Sequence, residues 1–127
     1  MTVSGLSLDT GALIALERGD PNLRQLLRRA LSAGVAVHVV CEVVAQAWRG
    51  GPRQVVLARF LNLPEVVFPV MDVAMARVVG DICGRSGHSD VVDVHVVVDA
   101  RMNGHRVVTS DPDDLRLVDP SLGLIVV

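Results

Sequence analysis

Four acidic residues stand where a carboxylate could take part in chemistry. Asp9 and Asp111 each follow directly on a predicted strand, and Glu42 follows the second predicted strand. Asp93 lies in the first turn of a predicted helix, where it can face the same edge. In open α/β sheets, ligands bind outside the carboxyl ends of the strands. If the first and fourth strands are neighbours, the four side chains are expected to converge in one cleft.

Such a cleft predicts a metal centre, because several carboxylates repel one another unless protons or a divalent cation neutralise them. Oxygen ligands favour a hard ion, so Mg²⁺ or Mn²⁺ is expected. One or two such ions can activate a water molecule and stabilise charge on a phosphodiester during in-line attack. This chemistry needs no lysine, and the chain has none, which argues against P-loop, Schiff-base and lysine-dependent phosphotransfer proteins.

Each acid also has a purely structural interpretation. Asp9 can cap the first helix. Glu42 is an ordinary acid near a helix N-terminus, and Asp93 can be a first-turn surface acid. Asp111 can form a turn with the backbone that follows it. The order of all four along the chain favours the metal centre over four independent coincidences.

The elements that must position these acids alternate along the chain. Strands are predicted for 3–8, 35–40, 65–70, 106–109 and 124–127. Helices are predicted for 12–16, 21–33, 41–49, 53–61, 72–83, 90–101 and 113–117. The segment 90–101 is ambiguous because valine favours a strand, but Ser89 or Asp90 can cap a helix and Gly104 can end it. We therefore predict a helix there.

Composition and pattern together predict one α/β domain over residues 1–127, with a central, mainly parallel sheet. Half of the residues are hydrophobic and the net charge is −2, which argues against disorder. With no secretory signal and no membrane-spanning run, a cytoplasmic protein is expected. Cys41 and Cys83 are expected to be buried thiols, and the four histidines, which lack metal-ligand spacing, to be structural or solvent-facing.

Four segments resemble a known family. In order and spacing, residues 8–14 (LDTGALI), 40–43 (VCEV), 93–100 (DVHVVVDA) and 107–115 (VVTSDPDDL) are similar to the PIN-domain ribonucleases, specifically the VapC toxins of bacterial type II toxin–antitoxin pairs. The resemblance implies a three-layer α/β/α PIN-like fold and a Mg²⁺-dependent (or Mn²⁺-dependent) endoribonuclease.

The resemblance also implies roles and partners. Asp9, Asp93 and Asp111 would be metal ligands, and Glu42 would hold a ligand or a bound water. The substrate would be RNA, such as tRNA or rRNA, and the protein would be a homodimer inhibited by a VapB-type antitoxin. The alternatives are an inactive PIN-like or receiver-like module that binds RNA or protein, and a phosphatase or DNA nuclease that uses the same acids.

The third segment departs from the family pattern. The family helix is usually rich in Ala and Ile, whereas this helix has consecutive valines together with His95 and Asp99. Asp90 also competes with Asp93 as the helix ligand, because it lies three residues earlier on a neighbouring helical face. Asp93 is preferred because its distance along the chain to Gly104 fits the family better.

Overall fold

Strands and helices alternate along residues 4–127, the part of the chain described by the computed structural model. The strands are Gly5–Leu8 (β1), Ala36–His38 (β2), Val66–Val67 (β3), His105–Thr109 (β4) and Leu124–Val126 (β5). The α-helices are Thr10–Glu17 (α1), Pro21–Ser32 (α2), Cys41–Ala47 (α3), Val55–Leu61 (α4), Val73–Ser86 (α5), Val91–Asn103 (α6) and Pro112–Val118 (α7), with a 3₁₀ turn at Pro52–Gln54. Within residues 4–127, every helix is too short or too polar to cross a membrane.

The five strands form one parallel sheet in the order β3-β2-β1-β4-β5. β1 lies at the centre, and Gly5 is in register with both Ala36 of β2 and His105 of β4. The first and fourth strands are therefore neighbours, which is the condition under which the acids were expected to converge. Because all pairs are parallel, the carboxyl ends of β1 and β4 meet at the same edge of the sheet.

Helices cover both faces of the sheet, which gives the expected three-layer α/β/α arrangement. On one side α1 packs against α2, α3 and α4, and on the other α6 packs against α5, α7 and the two central strands. The main core lies between these layers and includes Leu8, Leu13, Val37 and Val107, all fully buried. A smaller apolar cluster of Val79, Val94 and Val98 joins α5 to α6.

The valine-rich segment forms a helix, as predicted. The side chain of Asp90 accepts hydrogen bonds from the backbone N–H groups of Val92 and Asp93, and Gly104 ends the helix in the left-handed region at φ 67°. Residues 94–100 are all buried. Valine lowers helix propensity by only about half a kcal/mol per residue, whereas burying a valine side chain contributes roughly 1.5 kcal/mol or more, so tertiary packing decides the conformation.

Several predicted boundaries were wrong. The strands predicted for 35–40 and 65–70 keep only three and two residues, because the flanking segments leave the ladder to enter turns and helices. The helix expected to end at Cys83 continues through Gly84 to Gly87, whose φ of 73° ends it. The strand predicted for 3–8 is observed as Gly5–Leu8, and its predicted first residue lies outside the described residues.

The prediction of buried thiols was also wrong. Cys41 is exposed because it is the first residue of α3, and its Sγ lies 3.6 Å from the carbonyl oxygen of Phe68. Cys83 is half-buried because it lies at the margin of the small cluster between α5 and α6. Position at a helix end or margin thus overrides the usual preference of cysteine for the interior.

The central strand pairing generates a prediction at Gly5. A Cβ added there would lie 2.5 Å from His105 Nε2 and 2.7 Å from the carbonyl oxygen of Ala36. We expect Gly5→Ala to lower the free energy of unfolding by about 1–3 kcal/mol, measured by urea denaturation. The control is Gly80→Ala in exposed α5, where a Cβ meets nothing within 4 Å and should stabilise the helix by about 0.5–1 kcal/mol. Equal effects of the two substitutions would contradict the close packing around β1.

Candidate active site

The edge at the carboxyl ends of β1 and β4 begins with Asp9. Its backbone N–H donates to the carbonyl oxygen of Val108 at 3.1 Å, which ties it to β4. Its side chain accepts a hydrogen bond from the N–H of Ala12 at 2.9 Å and so caps α1. The residue is only 6% exposed. Asp9 is therefore both the helix cap that the structural interpretation predicted and a buried carboxylate at the sheet edge.

Electrostatics connect Asp9 to two other acids. Burial raises the pKa of Asp9 above its usual range, although hydrogen bonds from Thr109 and the Ala12 N–H oppose the shift. The negative charges of Asp93 and Asp111 raise this pKa further. The structure therefore brings together three of the four predicted site residues closely enough for their charges to interact.

Asp93 lies in the first turn of α6 and is half-buried. Burial and the charge of Asp90 raise its pKa, and Asp114 adds to the same effect. His88 opposes the shift, since its Nε2 lies 3.2 Å from Asp93 Oδ2. Asp90 itself caps α6 and is exposed, and it does not appear among the charges that shift Asp9. The geometry therefore favours Asp93 over Asp90 as the α6 carboxylate of this group.

Asp111 lies at the start of α7, where its side chain makes no capping hydrogen bond. Its backbone N–H donates to Thr109 Oγ1 at 2.9 Å instead. The neighbouring carboxyl group of Asp114 is the main cause of the raised pKa of Asp111, through a side-chain hydrogen bond between the two. Asp114 was interpreted from the sequence as a turn or capping residue, and its contact with Asp111 is an addition that the structure makes.

Glu42 has a different neighbour. It lies in the first turn of α3, and its Oε2 is 2.6 Å from Nδ1 of His95, whose side chain is fully buried. Glu42 Oε1 and His95 Nε2 are both buried without a hydrogen-bond partner among the described residues. Glu42 is not among the charges that shift Asp9, Asp93 or Asp111. It therefore meets α6 through His95.

His95 is a residue whose role sequence reasoning missed. Residues two apart on a helix point to different faces, so Asp93 and His95 direct their side chains toward different partners. The available signal was a lone histidine inside a run of valines two residues after the candidate ligand. A buried polar side chain in such a run requires a hydrogen-bond partner, and Glu42 provides it.

Two of the histidines form a set of candidate ligands together with Asp99. In residues 4–127, His38, Asp99 and His105 are the one set of three candidate ligands with donor atoms all within 4.8 Å of one another. The carboxylates of the acidic group are spaced more widely than this. The spacing along the chain gave no indication of this set, because its members come from β2, α6 and β4.

A cleft of about 570 Å³ is lined by residues of α1, α3 and the 3₁₀ turn, and none of the four acids is part of its lining. Arg18, Arg49 and Arg53 contribute to its lining, and so does Gln46. Thr10, the residue after Asp9, donates its hydroxyl hydrogen to Gln46 Oε1, which connects the acidic edge to the cleft. Among the described residues, none of the three arginines forms a salt bridge. The charged side chains of the lining are therefore these three arginines and one acid, Glu17.

Comparison with known proteins gives the family of this fold. The family profile described as PIN domain matches residues 6–119. Two solved structures cover 94% of this chain, each with a TM-score of 0.60. One is described as FitAB bound to an IR36 DNA fragment (16% identity, 93% of that chain covered), and the other as FitAcB from Neisseria gonorrhoeae (18% identity, 96% covered). A search of curated proteins finds no match. Since the profile spans nearly the whole chain and includes all four acids, this chain belongs to the PIN domain family.

Proposed function

We propose that this chain is a Mg²⁺-dependent (or Mn²⁺-dependent) endoribonuclease and the toxin of a VapBC-type toxin–antitoxin pair. PIN domains are in general metal-dependent nucleases, which supports the hydrolase class. The observation that carries the proposal is the group of Asp9, Asp93 and Asp111, three carboxylates from different elements with raised pKa values at one sheet edge. We propose that residues 1–127 act as one domain.

The donor set fits a hard divalent cation. All three side chains offer carboxylate oxygens, the ligands that Mg²⁺ and Mn²⁺ prefer. Burial and the charges of neighbouring carboxylates raise the pKa values of Asp9 and Asp93, and a cation offsets both penalties. Glu42 adds a buried Oε1 that lacks a hydrogen-bond partner. We propose Asp9, Asp93 and Asp111 as ligands, with Glu42 as a supporting acid held by His95.

When bound, such a cation activates water and stabilises charge developing on a phosphodiester. The chain's own residues bind and orient the substrate. Arg18, Arg49 and Arg53 can hold backbone phosphates in the cleft, because a guanidinium donates hydrogen bonds to phosphate in pairs. This local positive charge matters because the net charge of the whole chain is −2 and gives no general attraction to RNA.

The proposed partners follow from the family and its structural neighbours. This chain shares the fold of FitAB and FitAcB, and four of its segments resemble the VapC toxins. We propose a VapB-type antitoxin as the inhibitor, a homodimer as the functional form, and tRNA or rRNA as the substrate. These RNAs are cytoplasmic, so the activity would be cytoplasmic as well.

Removal of a proposed ligand charge should slow RNA cleavage. Asp9→Asn and Asp93→Asn each remove a proposed ligand charge, and we expect each to reduce the cleavage rate by at least about 100-fold. The control is Asp81→Asn on exposed α5, which makes the same chemical change outside the site and should retain wild-type activity. Purified protein free of antitoxin is incubated with total RNA in Mg²⁺, Mn²⁺ or EDTA, and the products are separated on a denaturing gel.

Each outcome decides between functions. Discrete RNA products that require metal and disappear in both variants support the proposal. Cleavage of DNA or a phosphomonoester in preference to RNA would favour the alternative nuclease or phosphatase. Folded protein that neither cleaves RNA nor binds Mg²⁺ by calorimetry would favour the inactive binding module. If RNA cleavage is lost in Asp90→Asn but retained in Asp93→Asn, Asp90 is the metal ligand from α6.

The effect of Asp9 on the thermal stability of the protein should depend on pH. The raised pKa of Asp9 means that ionising it costs more in the folded state than in the unfolded state. This penalty is fully present above the folded pKa and disappears as pH falls below the unfolded pKa. We therefore expect Asp9→Asn to raise the Tm in EDTA at pH 7.5, with the difference shrinking toward pH 3.5, measured by circular dichroism. Mg²⁺ should stabilise the wild type but not the variant. A lower Tm for the variant at every pH would contradict the burial of an ionised Asp9.

A further inference from the structure

A second polar cluster lies under α6, away from the acidic group. Asp99 is 5% exposed, and both of its carboxylate oxygens contact Nδ1 of His38, at 3.0 and 3.2 Å. Ser7 Oγ donates to Asp99 Oδ2 at 3.0 Å, and Asn103 Nδ2 donates to Asp99 Oδ1 at 3.1 Å. The carboxylate thus receives donors from β1, β2 and its own helix, and its charge is balanced by none of the arginines.

His105 completes the cluster from β4. Its Nδ1 lies 3.0 Å from Ser7 Oγ, and its ring meets that of His38 edge to face with centroids 4.5 Å apart. Glycine at position 5 makes room for this ring, because any Cβ there would overlap it. Burial, followed by the nearby His38, lowers the pKa of His105, so its imidazole is neutral at physiological pH. A neutral imidazole is the form that binds metal ions.

We propose that His38, Asp99 and His105 form a binding site for a borderline first-row cation, with Zn²⁺ as the ion it fits best. Their donor atoms all lie within 4.8 Å of one another. A tetrahedral Zn²⁺ with ligand bonds of about 2.1 Å spaces its donors roughly 3.4 Å apart. The His38–Asp99 separation of 3.0 Å is already close to that spacing. Ser7 Oγ, which touches both Asp99 and His105, stands where a fourth ligand or a bound water belongs.

The donor chemistry separates this site from the acidic group. Two imidazole nitrogens and one carboxylate select Zn²⁺, whereas oxygen ligands alone select Mg²⁺ or Mn²⁺. Asp99 also lies six residues beyond Asp93, which is about 9 Å along the axis of α6. In the described residues, no hydrogen bond or ion pair joins this His–Asp–His site to Asp9, Glu42, Asp93 or Asp111. The inference therefore does not depend on the nuclease proposal.

Binding of a cation requires His38 to give up the proton on Nδ1. When His38 is neutral and donates its Nδ1 proton to Asp99, that nitrogen must lose the proton before it can ligate an ion. The ring does so by shifting to the other tautomer when neutral, or by releasing a proton to solvent when charged. Protons therefore compete with the cation at acid pH. His38 is the most accessible of the three, with a side chain 14% exposed, and provides the route to solvent.

The experiment titrates Zn²⁺ into EDTA-treated, dialysed full-length protein by calorimetry, in the presence of saturating Mg²⁺ to occupy the acidic group. Co²⁺ is titrated in parallel, and its visible absorption reports nitrogen ligation and coordination number. We expect one Zn²⁺ per chain, a higher Tm with Zn²⁺, and an affinity reduced at least about tenfold by Asp99→Asn and by His105→Gln. The controls are Asp93→Asn, which removes an acid from the other group, and His88→Gln, which removes a histidine outside the cluster; both should bind Zn²⁺ as the wild type does.

Two results would overturn the proposal. If wild-type protein does not bind Zn²⁺, the cluster is only a hydrogen-bond network. This measurement does not depend on the folding of any variant. Zn²⁺ binding that survives Asp99→Asn but is lost in Asp93→Asn assigns the ion to the acidic group. RNA cleavage is not used as a readout, so failure here is distinguishable from failure of the nuclease proposal.

Discussion

The parallel pairing of β1 with β4 is the constraint on which the rest of the structure depends. It directs the carboxyl ends of the two central strands to one edge, and the hydrogen bond from the Asp9 N–H to Val108 fixes the first acid against the second strand. Asp111 lies two residues after Thr109, the last residue of β4. Because the strands are parallel, this convergence of distant acids needs no special loop. The charges of Asp93 and Asp111 then add to the burial that raises the pKa of Asp9.

α6 contributes side chains to three separate polar groups. Asp93 in its first turn meets the acidic group, His95 meets Glu42, and Asp99 in the next turns meets the histidines of β2 and β4. The rotation of about 100° per residue aims each side chain at a different neighbour. The valines between them pack against the sheet and α5. A buried polar group without its partner is costly, so the partners constrain the helix orientation.

Local signals were sufficient to predict most of the fold. Helix caps at Asp20, Asp72 and Asp90, together with hydrophobic spacing, located the helices, and strand alternation gave the parallel sheet. The lengths of β2 and β3 were overestimated, because a run of valines predicts a strand even where the backbone no longer pairs with a neighbouring strand. In the candidate site, the acids were found because each stands next to a predicted strand or helix end. The His95–Glu42 pair and the His–Asp–His cluster were not found, because 53 residues separate Glu42 from His95 and 61 separate His38 from Asp99.

The two proposed metal sites differ in how far the protein alone stabilises their polar groups. Like charges at the acidic edge weaken the metal-free fold, and a hard cation there would recover that free energy only when bound. The histidine cluster is stabilised differently in the absence of metal, because its hydrogen bonds already satisfy Asp99 without an ion. A cation there would strengthen a network that is stable alone, and would cross-link β2, β4 and α6. A PIN fold built in this way can separate the ion needed for chemistry from one that holds the scaffold, since oxygen and nitrogen donors select different metals.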